Sequence, residues 1–259
     1  MEIPIYQVDA FASNVFAGNP AAVCPLEAWL PDDVMQAIAA ENNLSETAYF
    51  VRNGDDFDLR WFTPAHEAPM CGHATLGSAY VIMNFLEPKR REARFHTRSG
   101  ELIVTRDGDD YCLDLPLQPP KRVADSAEMA EALGAIPAEL WESAYMLAVF
   151  SDEAQVATLS PDFAKVSALE KGQVIVTAPG QTCDFVSRFF APAAGIPEDP
   201  VTGSAHTILA PYWADRLGKT HMAARQISRR GGELAVELRG DRVLLTGRVA
   251  PYLQGRIRV

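Results

Sequence analysis

Three residues in this chain have surroundings that would let them move protons. Glu46 lies in Asn43-Leu44-Ser45-Glu46-Thr47-Ala48-Tyr49-Phe50, where period-two alternation groups it with Leu44, Ala48 and Phe50 on the apolar side of a strand. A carboxyl group there is desolvated. Desolvation raises its pKa towards neutrality, as a group that both takes and returns a proton requires. A salt-bridged strand glutamate, or a register facing water, fits the same pattern. His73 follows Gly72 at the start of a helix, and imidazole titrates near neutral pH, so it suits a proton shuttle or a donor to a substrate oxygen. A hydrogen-bonded capping histidine is the plainer alternative. Asp199, in Glu198-Asp199-Pro200-Val201-Thr202-Gly203-Ser204, reads as a second acid/base, as a residue that orients His73, or as an Asx turn before proline.

The same two segments offer a means of holding an anion. Helices starting at Gly72 and Gly203, each after a Pro-containing loop, begin with unpaired N–H groups carrying roughly half a unit of positive charge. If both starts face one cleft, donors near Gly72-His73 and Gly203-Ser204 can hold a carboxylate and polarise an adjacent carbon acid. Ordinary helix capping accounts for the glycines equally. Arg98 and Arg230 occupy matching positions, and either could help clamp a carboxylate, with surface charge the plainer role for Arg98.

Metal chemistry is not expected. His66, Glu67 and His73 lack the helical spacing of a zinc protease, no carboxylate cluster suits magnesium, and no Gly-rich phosphate loop appears. Cys71 is a candidate for one of the two opposed thiols a cofactor-free epimerase needs. The loop around Thr202-Gly203 has no cysteine, and Cys183 lies about 20 residues upstream. Cys71 therefore reads as a small packed residue.

Two copies of one unit must position these residues. Arg60-Trp61-Phe62-Thr63-Pro64-Ala65 returns as Arg188-Phe189-Phe190-Ala191-Pro192-Ala193, and Gly100-Glu101-Leu102 returns as Gly232-Glu233-Leu234, at offsets of 128 and 132. The expected fold is α+β, with an N-terminal half over 1–117 and a C-terminal half over 118–259. Leu115-Pro116-Leu117-Gln118-Pro119-Pro120 is the linker, and the terminal strand is a candidate to complete the N-terminal sheet. Alternation predicts a mostly antiparallel first sheet, with strands near 46–52, 57–63, 93–97, 101–105 and 110–115. The second half repeats the plan, with strands near 143–150, 173–178, 184–190, 222–228, 233–239 and 242–249. Gly72 to Leu86 is small or apolar on every face, so a sheet wraps around it. Gly203 to Leu217 is similar, but Pro211 should kink or interrupt it.

Composition narrows the partners. A net charge of −11, from 23 basic and 34 acidic residues, repels nucleic acid and an anionic membrane surface. Ala68 to Leu86 carries no charge, yet its helical part spans only about 22 Å against a hydrocarbon core of about 30 Å. The first ten residues carry Glu2 and Asp9 in an alternating pattern, which is not a signal peptide. The four cysteines read as reduced thiols, and a cytoplasmic location is expected.

Asn14-Val15-Phe16-Ala17-Gly18-Asn19-Pro20-Ala21-Ala22-Val23, Leu44-Ser45-Glu46-Thr47-Ala48, Cys71-Gly72-His73-Ala74-Thr75 and Asp199-Pro200-Val201-Thr202-Gly203-Ser204-Ala205 together resemble the phenazine-biosynthesis PhzF-like family. The resemblance spans both halves and implies the diaminopimelate-epimerase-like fold, two pseudo-symmetric domains with a curved sheet around a central helix. In the family's isomerase member a glutamate moves a proton on a cyclic dihydro-hydroxy-anthranilate. Its motif falls on Glu46, and those of the assisting histidine and aspartate fall on His73 and Asp199. Substrate-carboxylate contacts fall on Gly72, Gly203 and Ser204, and the family's glutamine before a Gly-rich turn falls on Gln226. The resemblance implies no cofactor, a homodimer, and a small carboxylate as substrate. The expected activity is a cofactor-independent isomerase acting in an interdomain cleft. An amino-acid epimerase or racemase, and a non-catalytic binding module, are the alternatives.

Overall fold

Alternating apolar residues lay down the first sheet of the computed structural model, which describes residues 1–259. The elements are β1 (Glu2–Ala10), β2 (Asn19–Leu26), α1 (Asp32–Asn42), β3 (Glu46–Asn53), β4 (Asp56–Phe62), β5 (Glu67–Ala68), α2 (Gly72–Val81), β6 (Glu92–Thr97), β7 (Gly100–Asp107) and β8 (Asp110–Pro116). Then come β9 (Lys121–Val123), α3 (Ala127–Leu133), β10 (Glu139–Glu142), β11 (Met146–Val149), α4 (Glu153–Thr158), α5 (Phe163–Ala168), β12 (Val174–Pro179), β13 (Phe185–Ala191), β14 (Ile196–Asp199), α6 (Gly203–Leu217), β15 (His221–Gln226), β16 (Gly232–Arg239), β17 (Arg242–Gly247) and β18 (Val249–Arg258). Met1–Leu115 and Leu245–Val259 form one compact unit, and Pro116–Leu244 forms the other. Residues 245–259, which follow the second half in sequence, thus belong with the first, where β18 runs antiparallel to the whole of β1.

The first unit is mostly antiparallel, as the sequence suggested, with two parallel pairs that alternation did not reveal. β1–β2, β3–β4, β4–β5, β6–β7 and β7–β8 are antiparallel, but β2–β3 and β4–β6 are parallel. Each parallel pair is joined by a helix, as a crossover requires, α1 in the first case and α2 in the second. Alternation along β2 then serves both faces. Ala22 and Cys24 pack with Met35, Ile38 and Ala39 of α1. Ala21 and Val23 approach α2 at Gly77, where a Cβ would stand 2.8 Å from Val8 Cγ2, so the helix packs against the sheet at close range.

Helix α2 is buried on nearly every face and contacts β1, β2, β3, β7 and β18, so the sheet encloses it. Its buried hydroxyls are satisfied within the turn: Thr75 Oγ1 donates to the Cys71 carbonyl at 2.6 Å and Ser78 Oγ to the Ala74 carbonyl at 2.7 Å. A π-helical turn, Ile82–Leu86, continues it.

The second unit repeats the pairing scheme. β10–β11 is antiparallel, β11–β12 parallel, β12–β13 antiparallel, β13 antiparallel to β14 and parallel to β15, and β15–β16 antiparallel. The place of α1 is taken by α4 and α5, whose Asp152 and Asp162 caps accept from backbone N–H groups. The strand expected near 143–150 is β11, shorter than read, and β10 precedes it in a hairpin closed by Ser143 N donating to the Tyr145 carbonyl at 3.0 Å. Pro211 does not interrupt α6. The carbonyl that it leaves without an i+4 donor, that of Thr207, accepts the linker amide of Gln118 at 3.2 Å. No helix is long and apolar enough to cross a membrane.

The echoed arginines do the same work in each unit. Arg60 pairs bidentately with Glu67, at 2.8 Å for both contacts, and Arg188 pairs bidentately with Glu198 at 2.7 and 3.0 Å. Each glutamate lies in the segment leading to the buried helix, so each ion pair anchors the approach to that helix.

Gly18 ends the loop that delivers the chain to β2. It has φ +65°, and a Cβ there would meet the Ala10 carbonyl oxygen at 2.2 Å. Gly240 has φ +61° with nothing within 4 Å. Gly18→Ala should therefore cost about 2 kcal/mol or more, whereas Gly240→Ala should cost only the left-handed penalty of about 1 kcal/mol. Chemical denaturation of both variants measures this, and equal losses would contradict the packing at Gly18.

Candidate functional site

The beginnings of β2, β3 and α2 bring three side chains together in the first unit. In the parallel register Ala21 lies beside Glu46, so Asn19 and Glu46 sit at the same end of adjacent strands. Helix α2 packs on those strands and supplies His73 from its first turn. The Glu46 side chain is 12% exposed, and its Oε2 lies 3.2 Å from Nε2 of the buried His73. On the other side of the ring, Asn19 Nδ2 lies 3.1 Å from His73 Nδ1. Burial depresses the imidazole to about 3, so the ring is neutral at pH 7. With the Asn19 amide donating to Nδ1, the single ring proton belongs on Nε2, which lies beside the Glu46 carboxylate without hydrogen-bonding to it.

Cys71 occupies the N-cap position of α2, with Sγ 3.5 Å from His73 Nδ1 and 4.0 Å from Nε2. One ligand atom from each of Glu46, Cys71 and His73 falls within 4.8 Å of the others. Of His66, Glu67 and His73, compared in the sequence as metal ligands, only His73 belongs to this cluster. Glu67 is instead held by Arg60 and Arg98, and the third member of the cluster comes from β3. Arg98, considered there as a carboxylate clamp, is an exposed partner of Glu67 at 2.6 Å.

The second unit builds a different set on the same scaffold. Asp199 ends β14 and is buried, with Thr202 Oγ1 donating to its Oδ2. Thr202 is the N-cap residue of α6, the position Cys71 holds on α2. Gln226, at the end of β15, ties this loop down. Its Oε1 accepts Thr202 N at 2.8 Å, and its Nε2 donates to the Asp199 carbonyl at 2.8 Å and to Thr202 Oγ1 at 3.1 Å. The Gln226 amide is thus engaged by the loop. Gly203 opens α6, and Ser204 Oγ pairs with the Tyr145 hydroxyl at 3.1 Å. His206, one turn into the helix, donates Nδ1–H to the Thr202 carbonyl at 2.8 Å, and burial lowers it to about 4.

Of the residues singled out in the sequence, Glu46, Gly72 and His73 thus gather in the first unit. Asp199, Gly203, Ser204 and Gln226 gather in the second. Asn19, Thr202 and Tyr145 were not read as functional. Asp9 was also missed: it is buried and accepts Phe16 N at 2.8 Å, fixing the loop before Asn19 in a conformation where Phe16 has φ +71°. An Asn-Pro pair at a strand start was the available signal for Asn19, but its histidine partner lies 54 positions away.

Residues 8–255 match the family model described as phenazine biosynthesis-like protein. The chain belongs to the PhzF-like family. It is 51% identical to an uncharacterized isomerase of Pseudomonas aeruginosa, with all of both chains covered. The crystal structure of a phenazine biosynthesis protein of the PhzF family from Enterococcus faecalis superposes with a TM-score of 0.97 at 46% identity, again over all of both chains. A hydroxyproline epimerase from Agrobacterium vitis shares the fold, with a TM-score of 0.63 at 11% identity over 99% of this chain and 91% of that one. The α+β architecture is therefore that of the PhzF and epimerase-like folds.

Two buried neutral histidines make stability depend on pH. His73 and His206 stand at about 3 and about 4 in the folded chain, against an ordinary 6.5. Above pH 6.5 neither state binds these protons; below it the unfolded chain takes up protons that the folded chain refuses. Stability should fall as pH drops from 6.5 towards 4, by up to roughly 1 kcal/mol per pH unit for each histidine. Denaturant titrations across that window should give a shallower slope for His206→Gln, and an identical slope would contradict the burial argument.

Proposed function

We propose that the protein is a cofactor-independent isomerase that moves a proton between two carbons of a small carboxylate substrate, with Glu46 as the acid/base. The observation that carries this reading is the desolvated Glu46 carboxylate, 12% exposed and 3.2 Å from a buried imidazole. Membership of the family, with relatives named as isomerases, supports the reaction class. In the forward step a substrate C–H bond breaks, the proton passes to Glu46, and the electron pair delocalises towards the substrate's conjugated system. The Glu46 carboxylic acid then returns the proton to a second carbon.

Neutral His73 packs its Nε2 beside the carboxylate and tunes its basicity without adding a charge. Backbone donors at Gly72 and Gly203 and the Ser204 hydroxyl are proposed to hold the substrate carboxylate, with Asp199 assisting proton transfer. Gln226 is proposed to act indirectly, by fixing Asp199 and Thr202. A net charge of −11 makes such local donors necessary for capturing an anion. The proposal includes a homodimer and a cytoplasmic location.

Two-thiol epimerisation is less well supported, because the N-cap position opposite Cys71 in the repeat carries Thr202, whose hydroxyl already donates to Asp199. Incubation with a panel of small carboxylates in deuterated water tests both readings. Isomerisation should yield deuterium at a new carbon, and epimerisation would yield it at an inverted one. Glu46→Gln should lower turnover by about 10² to 10⁴ with little loss of binding, and Ser204→Ala should chiefly raise KM. Unchanged turnover in Glu46→Gln would sink the assignment, and tight binding without exchange would favour a binding module.

A further inference from the structure

We propose that Glu46, Cys71 and His73 form a three-ligand site for a thiophilic divalent cation, Zn²⁺, whose occupancy blocks proton transfer at Glu46. The blocking half rests on the isomerase reading, and the binding half does not. His73 Nε2 lies 3.2 Å from Glu46 Oε2 and 4.0 Å from Cys71 Sγ, and one ligand atom per residue falls within a 4.8 Å span. Tetrahedral zinc with ordinary bonds to sulfur, nitrogen and oxygen has ligand–ligand edges of about 3.4 to 3.6 Å. The two histidine edges are thus within about half an ångström of a zinc site. The remaining edge closes by rotation of the Glu46 carboxyl, the most exposed of the three groups.

Charge favours the same ion. On binding, the Cys71 thiol releases one proton to solvent and its sulfur electron pair forms the S–Zn bond, with no change of oxidation state. Thiolate and carboxylate together cancel the charge of the dication, so no net charge is buried. A set of one sulfur, one nitrogen and one oxygen is too soft and too small for Mg²⁺ or Ca²⁺.

An outer partner is also present. Coordination through Nε2 moves the ring proton to Nδ1, and a half-turn of the buried Asn19 amide presents its Oδ1 to accept that proton. The fourth coordination position is left to water. A bound ion would occupy the Glu46 oxygen that receives the substrate proton and would engage the His73 nitrogen beside it.

The full-length, untagged chain freed of metal and titrated with Co²⁺ tests the binding half. A thiolate-to-cobalt charge-transfer band in the near ultraviolet, displaced stoichiometrically by Zn²⁺ and unaffected by Mg²⁺, is expected. Cys71→Ser should abolish the band and weaken Zn²⁺ binding at least about 100-fold, while Cys183→Ser keeps both. Melting curves establish that each variant is folded. Absence of the band, or its survival in folded Cys71→Ser, would overturn the site. The blocking half is read separately, from deuterium exchange with and without Zn²⁺ and after chelator. Exchange that continues at saturating Zn²⁺ would overturn the block, whereas absence of exchange with every carboxylate counts against the isomerase reading and leaves the cobalt result standing.

Discussion

The structure of the first unit turns on one buried contact: a neutral imidazole held between an amide and a carboxylate. A charged histidine could not be kept there without several kcal/mol of desolvation cost, so the ring must remain neutral, and its two nitrogens must be told apart. Asn19 makes that distinction by occupying Nδ1. Three separate elements have to begin at one place for this to happen. The parallel β2–β3 register aligns Asn19 with Glu46, the α1 crossover makes that register possible, and the small residues of α2 let its first turn sit against the strand ends. The loop from Phe11 to Gly18, fixed by Asp9 and by the left-handed glycine, then sets where Asn19 begins.

The repeat carries the scaffold twice and the buried histidine–glutamate contact once. Both units carry the bidentate arginine–glutamate pair, the same order of parallel and antiparallel pairings, and a buried helix beginning at glycine. At the helix starts the residues diverge: Cys71 against Thr202, His73 against Ser204, Thr75 against His206. The first set suits proton transfer beside a glutamate; the second is a hydroxyl-rich loop braced by Gln226. Such asymmetry is what a single acid/base with a separate carboxylate-holding group would need, and it is unlike the matched bases of a two-base epimerase.

Much of the fold was legible because it is written in local pattern. The echoed Arg60 and Arg188 segments exposed the repeat, alternation exposed most strands, and the uniformly apolar run after Gly72 exposed the enclosed helix. What escaped notice depends on distant partners. Pro211 looked like a helix breaker because nothing in sequence links Thr207 to Gln118. The parallel pairings depend on which strands the crossovers reach. In the candidate site, Glu46 and His73 carried recognisable signals, a carboxylate on an apolar strand face and an imidazole at a helix start. Asn19 carried only an Asn-Pro pair that does not name its histidine partner, and the closeness of Cys71 to Glu46 carried no signal, since both follow from tertiary packing. Gln226 was visible as a residue, but its full engagement with Thr202 and Asp199 was not.

The most direct test of the central claim is the nitrogen-15 spectrum of the His73 ring in the metal-free protein, assigned by comparison with His73→Gln. A neutral imidazole with its proton on Nε2 and an unprotonated Nδ1, unchanged from about pH 5 to about pH 8, is the expected result. An imidazolium signal at neutral pH, or a ring protonated on Nδ1 instead, would contradict the account.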